Sequence, residues 1–165
     1  HLIEFSDGFL EVLPMPTEQH QLIVAFLYEM VRAFVVPRKL GKVLFAPLRI
    51  RLWEGKFREP DVVFLLAQHA DRRGNQYWRG ADLAIEVVSE DDPVRDLVSK
   101  RAEYARAGIS EYWIVDPRDQ SVSVLSLDPA TGGYSVAGRY ASGETARSVL
   151  LDGFSVDVGD VFSQN

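Results

Sequence analysis

Positions 83–88 read Leu-Ala-Ile-Glu-Val-Val, an apolar run interrupted by a single carboxylate. The run is far too short to cross a bilayer and suits a strand in a packed sheet. Glu86 makes that strand demanding. A lone buried carboxylate costs several kcal/mol unless it is paired, solvated or bound to a metal (roughly,). Alternation offers a second reading. Asp82, Ala84, Glu86 and Val88 share one face, so the strand is also expected to be half-exposed if that face meets water. On the residues alone the two readings stand level.

The chain has 165 residues, of which 47% are hydrophobic and 25% charged. That is enough apolar material for the core of one domain over positions 1–165, with no compositional sign of disorder. No apolar run approaches the ~20 residues of a membrane span, and no basic segment followed by an apolar one opens the chain. The sequence begins at His1, inside what reads as a strand, so a natural N-terminal segment is expected to be missing. Cysteine is absent, which removes disulfides, thiolate metal sites and cysteine nucleophiles and is compatible with a cytoplasmic location. The net charge of −6 repels polyanions as a whole. A nucleic-acid ligand therefore requires the basic residues to gather on one face, or a partner subunit to supply the grip. The charge counts against a protein that coats DNA without regard to sequence.

Hydrophobic periodicity gives the order of elements. Residues 2–13 read as a hairpin turning at Asp7-Gly8, closed by Pro14 and Pro16. Thr17 is placed to cap a helix whose first turn carries Glu18, with Leu22, Ile23, Phe26, Leu27, Met30, Val31 and Phe34 at helical spacing up to Pro37. Strands are expected over 42–46, 48–53 and 60–66, then a polar loop with a possible short helix over 68–80. A strand over 82–88 and a helix over 93–107 stopped by Gly108 follow. Strands over 111–115, 122–127 and 134–140, with a turn at 128–133, complete an α+β arrangement.

Two further residues gain meaning beside Glu86. Asp61 follows Pro60 at the mouth of the 60–66 strand, where it reads either as a strand-start aspartate or as a functional acid. Acids on adjacent strands form an oxygen cage of the kind Mg²⁺ accepts, with waters filling the remaining positions. Lys100 shares a helical stripe with Leu97 and Tyr104, and reads either as a site residue or as a surface partner of Asp96 at i,i+4. Arg72, Arg73 and Arg79 lie in the polar loop beside Tyr77 and Trp78, as nucleic-acid contacts or as a solvated loop. Trp53, Trp78 and Trp113 are candidates for base stacking, with Trp113 reading as core. There is no phosphate-binding Gly-Lys-Ser/Thr loop, no nucleophile elbow and no Gly-x-Gly-x-x-Gly turn. His1, His20 and His69 show no metal-motif spacing.

Three segments together are distinctive: Pro60-Asp61-Val-Val, then Asp82-Leu-Ala-Ile-Glu86-Val-Val-Ser89, then Asp96, Lys100, Tyr104 and Gly108-Ile-Ser-Glu-Tyr-Trp-Ile-Val-Asp116-Pro117. With the opening Ile3-Glu-Phe-Ser-Asp7-Gly8 and the stretch from Pro16 to His20, they resemble the Uma-two family of restriction endonucleases, within the PD-(D/E)XK nuclease superfamily. The resemblance covers nearly the whole chain. It implies a restriction-endonuclease-like fold, a central mixed β-sheet flanked by helices with an N-terminal β-hairpin. It also implies that Asp61 and Glu86 hold Mg²⁺ or Mn²⁺. The superfamily pattern places a lysine two residues after the acid, where this chain has Val88. The resemblance implies that Lys100 replaces it from the following helix, with Tyr104 near by, and that Glu18 or His20 approaches the pocket from the first helix.

The activity so implied is metal-dependent hydrolysis of phosphodiester bonds in DNA by a homodimer, with Lys100→Ala expected to abolish cleavage and spare the fold. Val88 and the acidic balance keep two alternatives open: a catalytically inactive interaction module on the same scaffold, and a hydrolase for small phosphodiesters.

Overall fold

The computed structural model describes residues 2–6, 9–13, 15–89 and 95–164, with side chains from Met15 onward except those of Arg95 and Asp96. The Asp7-Gly8 turn, Pro14 and the expected helix start at Pro93 lie outside the described residues.

The hairpin strands β1 (Leu2–Ser6) and β2 (Phe9–Leu13) pair antiparallel. Helix α1 (Glu18–Val35) is capped as its sequence predicts, the Thr17 hydroxyl accepting the His20 amide at 3.2 Å. Its apolar stripe buries Ile23, Val24, Leu27, Val31 and Val35. The strands β3 (Gly41–Phe45), β4 (Ile50–Trp53), β5 (Lys56–Arg58) and β6 (Val62–Leu66) follow, then a 3-10 segment Ala67–Arg72. Strand β7 (Leu83–Val87) leads to a helical crossover of a π turn, Arg95–Lys100, and α2, Arg101–Arg106. The crossover is thus less regular than the single α-helix that periodicity suggests. Gly108, at φ +75°, ends it. Strands β8 (Glu111–Asp116), β9 (Ser121–Asp128) and β10 (Gly133–Ala141) match expectation. Strands β11 (Thr145–Arg147) and β12 (Ser155–Asp157), helix α3 (Val158–Phe162) and strand β5 add elements that periodicity does not reveal.

Six strands form the main sheet in the order β10-β9-β8-β7-β6-β3, while β2-β1-β5-β4 form a second sheet and β11-β12 a small third. Only β7 and β8 in the main sheet run parallel, and the crossover supplies the connection a parallel pair needs. The fold is therefore the mixed sheet flanked by helices that the sequence predicts. Both sheet faces are covered. Leu83, Ile85 and Val87 join α1, β12 and α3 in one apolar cluster, and Ala84 and Val88 join Tyr104, Tyr112 and Ile114 in another. Glu86 points with this second set and is 1% exposed, so the half-exposed reading of β7 is corrected. Glu111, also buried, holds the segment before β12. It accepts hydrogen bonds from the Trp113 indole, the Ser148 hydroxyl and the amides of Val149 and Leu150. Among the described residues, no helix is long and apolar enough to cross a membrane.

Charge fixes the place of α2. Glu103 accepts hydrogen bonds from Arg58, at 2.7 Å to Oε2 and 3.0 Å to Oε1, and Lys56 Nζ lies 2.7 Å from Oε1. Lys56 and Arg58 on β5 are almost fully buried, so their charges need this carboxylate. Burial alone would raise the pKa of Glu103, but the hydrogen bonds and charges of Arg58 and Lys56 outweigh it and hold the carboxyl below its ordinary value. A carboxylate lowered in the folded state adds stability above its unfolded pKa and loses it as pH falls through the folded one. Urea midpoints measured across an acid series should fall below about pH 4.5, the ordinary value for this group. Glu103→Gln should be less stable near neutrality and decline less over that window. Parallel acid limbs for both proteins would contradict the clamp.

Candidate active site

The site forms where β6 begins and β7 ends. The register Val62↔Ile85 sets Asp61 beside Glu86, one step beyond the last paired residues. Strand β6 starts only at Val62, so the end of β7 runs past the paired residues and the Val87 amide needs another acceptor. Asp61 provides it: its Oδ2 accepts the Val87 amide at 2.8 Å. The strand-start reading and the functional reading of Asp61 are therefore compatible, because the bond that completes the ladder also aims the carboxylate. Its Oδ1 carries no hydrogen bond among the described residues.

Glu86 is answered from the crossover. Lys100 Nζ donates to Glu86 Oε2 at 2.8 Å, and the Tyr104 hydroxyl donates to Oε1 at 2.5 Å. Lys100 is 7% exposed and Tyr104 fully buried, so all three polar groups are withdrawn from bulk water. The four-residue spacing of Lys100 and Tyr104 puts them one turn apart on the same side of the helical segment, the condition for gripping one carboxylate. Lys100 is thus not a solvated surface lysine. The Asp96 side chain, its alternative partner by spacing, lies outside the described residues. Tyr104 also meets Tyr112 edge to face at 5.1 Å, which fixes its ring.

From the first turn of α1, His20 Nε2 comes within 3.4 Å of Asp61 Oδ2. Glu18 stands exposed on the same turn, with no ion pair or hydrogen bond among the described residues. Arg72, Arg73 and Arg79 do not join this group; they line a separate groove with Tyr77. Of the tryptophans, Trp113 and Trp78 are buried and Trp53 is partly exposed. Two features escaped the sequence reading. One is the Lys56–Glu103–Arg58 cluster. The other pairs His69 Nδ1 with Asp82 at 2.8 Å, while Asp82 also accepts the Leu66 amide at 2.7 Å. Both link residues distant in the chain through side chains that local patterns read as surface.

The donor set at Asp61 and Glu86 suits a hard divalent cation. Both are oxygen donors, and each carboxylate oxygen has capacity for more than one partner, so the bonds from Val87, Lys100 and Tyr104 do not saturate them. Among the described residues no group of three His, Cys, Asp or Glu side chains gathers. An ion of the Mg²⁺ type, which keeps several waters and uses one or two carboxylates, does not require one.

The family model Uma2, described as "Putative restriction endonuclease", matches residues 1–159. A crystal structure of a putative nuclease belonging to DUF820 from Anabaena variabilis ATCC 29413 superposes with a TM-score of 0.79 at 18% identity, covering 98% of this chain and 90% of that one. At that identity the likeness concerns the fold. No curated protein matches the chain.

The buried pair makes a stability prediction. Lys100→Met or Lys100→Ala strands a buried carboxylate and should cost about 3–5 kcal/mol, so neither is neutral for the fold as the sequence alone suggests. Adding Glu86→Gln to Lys100→Met should recover part of that loss, giving a coupling of about 1 kcal/mol or more in a urea-unfolding cycle. Strictly additive losses would show that the two groups do not depend on each other.

Proposed function

The chain belongs to the Uma2 family, and from that premise we propose that it is a divalent-metal-dependent endonuclease acting on phosphodiester bonds in DNA. The observation that carries the reading is Glu86: a buried acid at a strand end, beside Asp61 in register and bonded by a lysine and a tyrosine from the crossover. Core acids with a purely structural task, such as Glu111, collect backbone and side-chain donors of their own neighbourhood. Glu86 instead brings a cation beside a second carboxylate at the rim of the sheet, an arrangement that costs stability and suits chemistry.

In this reading Asp61 and Glu86 hold Mg²⁺ or Mn²⁺. Bound there, the ion supplies Lewis-acid stabilisation of the phosphoryl oxygens and activates water. The protein's own groups do the rest. Glu86 holds the Lys100 ammonium at a fixed point, so positive charge is in place as in-line attack builds negative charge on the phosphoryl group. Tyr104 sets the rotation of the Glu86 carboxylate, the Val87 amide sets that of Asp61, and His20 Nε2 lies 3.4 Å from the same Asp61 oxygen. Glu18 is assigned no step.

Thermal melting in EDTA, Mg²⁺ and Mn²⁺ tests the ion site directly. Metal should raise the melting temperature of the wild type and leave Asp61→Asn unchanged. Cleavage of plasmid DNA should require the metal and fall by about 10²–10³-fold in Lys100→Met at temperatures where that variant is folded. A wild type indifferent to metal in both assays would refute the proposal. Hydrolysis of a nitrophenyl phosphodiester without any cleavage of DNA would move the assignment to small substrates.

A further inference from the structure

On the β4–β5 side of α2, aromatic rings and arginines alternate. The Arg49 guanidinium lies 6.0 Å from the Phe57 ring centre, Arg51 lies 5.5 Å from Tyr77, and Arg106 lies 4.2 Å from Trp53. Phe57 and Tyr77 meet edge to face at 5.3 Å. These rings are partly exposed, and Arg49, Arg73, Arg79 and Arg106 are exposed. Two grooves open here, of about 460 and 300 Å³, and they share Arg79. Trp53 and Arg51 line the first, Tyr77 and Arg73 the second. Glu54 is the one acid among the lining residues.

Single cation–π pairs decorate ordinary surfaces, at roughly one per 70–80 residues. Here four fall among the described residues between positions 49 and 106, Lys56 over Trp53 being the fourth, and Arg51, Trp53 and Tyr77 of these pairs line adjoining grooves of ligand size, in a chain of net charge −6. Concentrating arginine on one face of an acidic protein is costly through self-repulsion unless a polyanion uses it. The rings narrow the choice of polyanion. A duplex presents phosphates but keeps its bases stacked on one another, so aromatic rings set in a groove gain little from it. An unpaired strand offers base faces at the spacing of its phosphates, which suits rings interleaved with guanidinium groups.

We infer that this face binds an unpaired stretch of the DNA substrate, bases stacking on Trp53 and Tyr77 while Arg51, Arg73, Arg79 and Arg106 hold its phosphates. The inference rests on the nuclease reading for the identity of the strand. The crossover joins the face to the proposed catalytic centre, since Arg106 lies two positions beyond Tyr104. A strand held here is therefore held against the same short helix that aligns Lys100.

Fluorescence anisotropy in EDTA, at fixed salt, with one labelled oligonucleotide as a single strand and as its duplex, tests the assignment. The single strand should bind more tightly than the duplex. Trp53→Ala and Tyr77→Ala should each weaken single-strand binding by about tenfold, and weaken duplex binding less. Tyr77→Phe, which keeps the ring, should bind as the wild type does. The Arg51→Ala/Arg79→Ala pair should weaken binding and flatten its salt dependence. Equal or tighter binding of the duplex would overturn the inference, as would aromatic variants that bind as the wild type does. Metal-dependent cleavage of plasmid DNA by the wild type separates the two readings. Cleavage without single-strand preference defeats this inference alone, and no cleavage defeats the nuclease reading whatever the binding shows.

Discussion

A carboxylate and an ammonium withdrawn from water 2.8 Å apart hold the sheet and the crossover helix in one arrangement. Neither charge tolerates the loss of the other, because each has given up its hydration. That mutual dependence matters most for α2, which has only six residues. Isolated helices below about 12–15 residues are marginal in water, so α2 keeps its place through side-chain contacts. Lys100 and Tyr104 anchor the segment to Glu86 beneath it, Glu103 to Lys56 and Arg58 beside it, and Arg106 to Trp53 at its outer end. The π turn before α2 ends on Lys100, the residue that reaches the buried acid on the sheet.

The helix consequently separates two electrostatic environments. At 100° per residue, Tyr104 and Arg106 lie about 200° apart around the axis, on nearly opposite sides. One side meets the acids of the sheet, and the other supports a surface rich in arginine. This resolves the tension between a net charge of −6 and a nucleic-acid substrate: the sum describes the far field, while contact is governed by how the basic residues are placed. The buried bases Lys56 and Arg58 lie between the two environments, Lys56 6.0 Å from the Trp53 ring centre. They are consumed by Glu103, and their task is to fix the helix between the two.

Much of the fold was legible because its main elements repeat a simple period. Thr17 and the spacing of Ile23, Leu27 and Val31 define α1, and strict alternation in 83–88 sends Leu83, Ile85 and Val87 to one face and Glu86 to the other. That Asp61, Glu86 and Lys100 come together was legible, but Lys100 needed a family pattern, since spacing alone offered Asp96 as its partner. What stayed hidden depends on long-range pairing. Strand β5 reads Lys-Phe-Arg, a surface pattern, and its buried charges meet Glu103, 45 positions beyond Arg58. Strands β11 and β12 have three residues each, too few to show a period, and the segment between them is tied to Glu111 across the sheet. The arginine–aromatic face is likewise assembled from β4, β5, a loop and α2, so no single stretch of sequence displays it.

The departure at Val88 has a physical reading in this packing. Val88 is buried in the cluster that contains Tyr104, Tyr112 and Ile114. A lysine there would share the face of Glu86 but would have to displace the apolar packing that Val88 makes beneath α2. A lysine on the crossover reaches Glu86 from the opposite direction, with its charge at the carboxylate and its stem leaving the cluster intact. Tyr104 then serves both requirements, its ring completing the apolar packing and its hydroxyl completing the Glu86 hydrogen bonds. Moving the cation from strand to helix thus lets one face of β7 carry both a closed core and a charged pair. It also makes the alignment of that pair depend on whatever bears on α2, including a strand gripped beside Arg106.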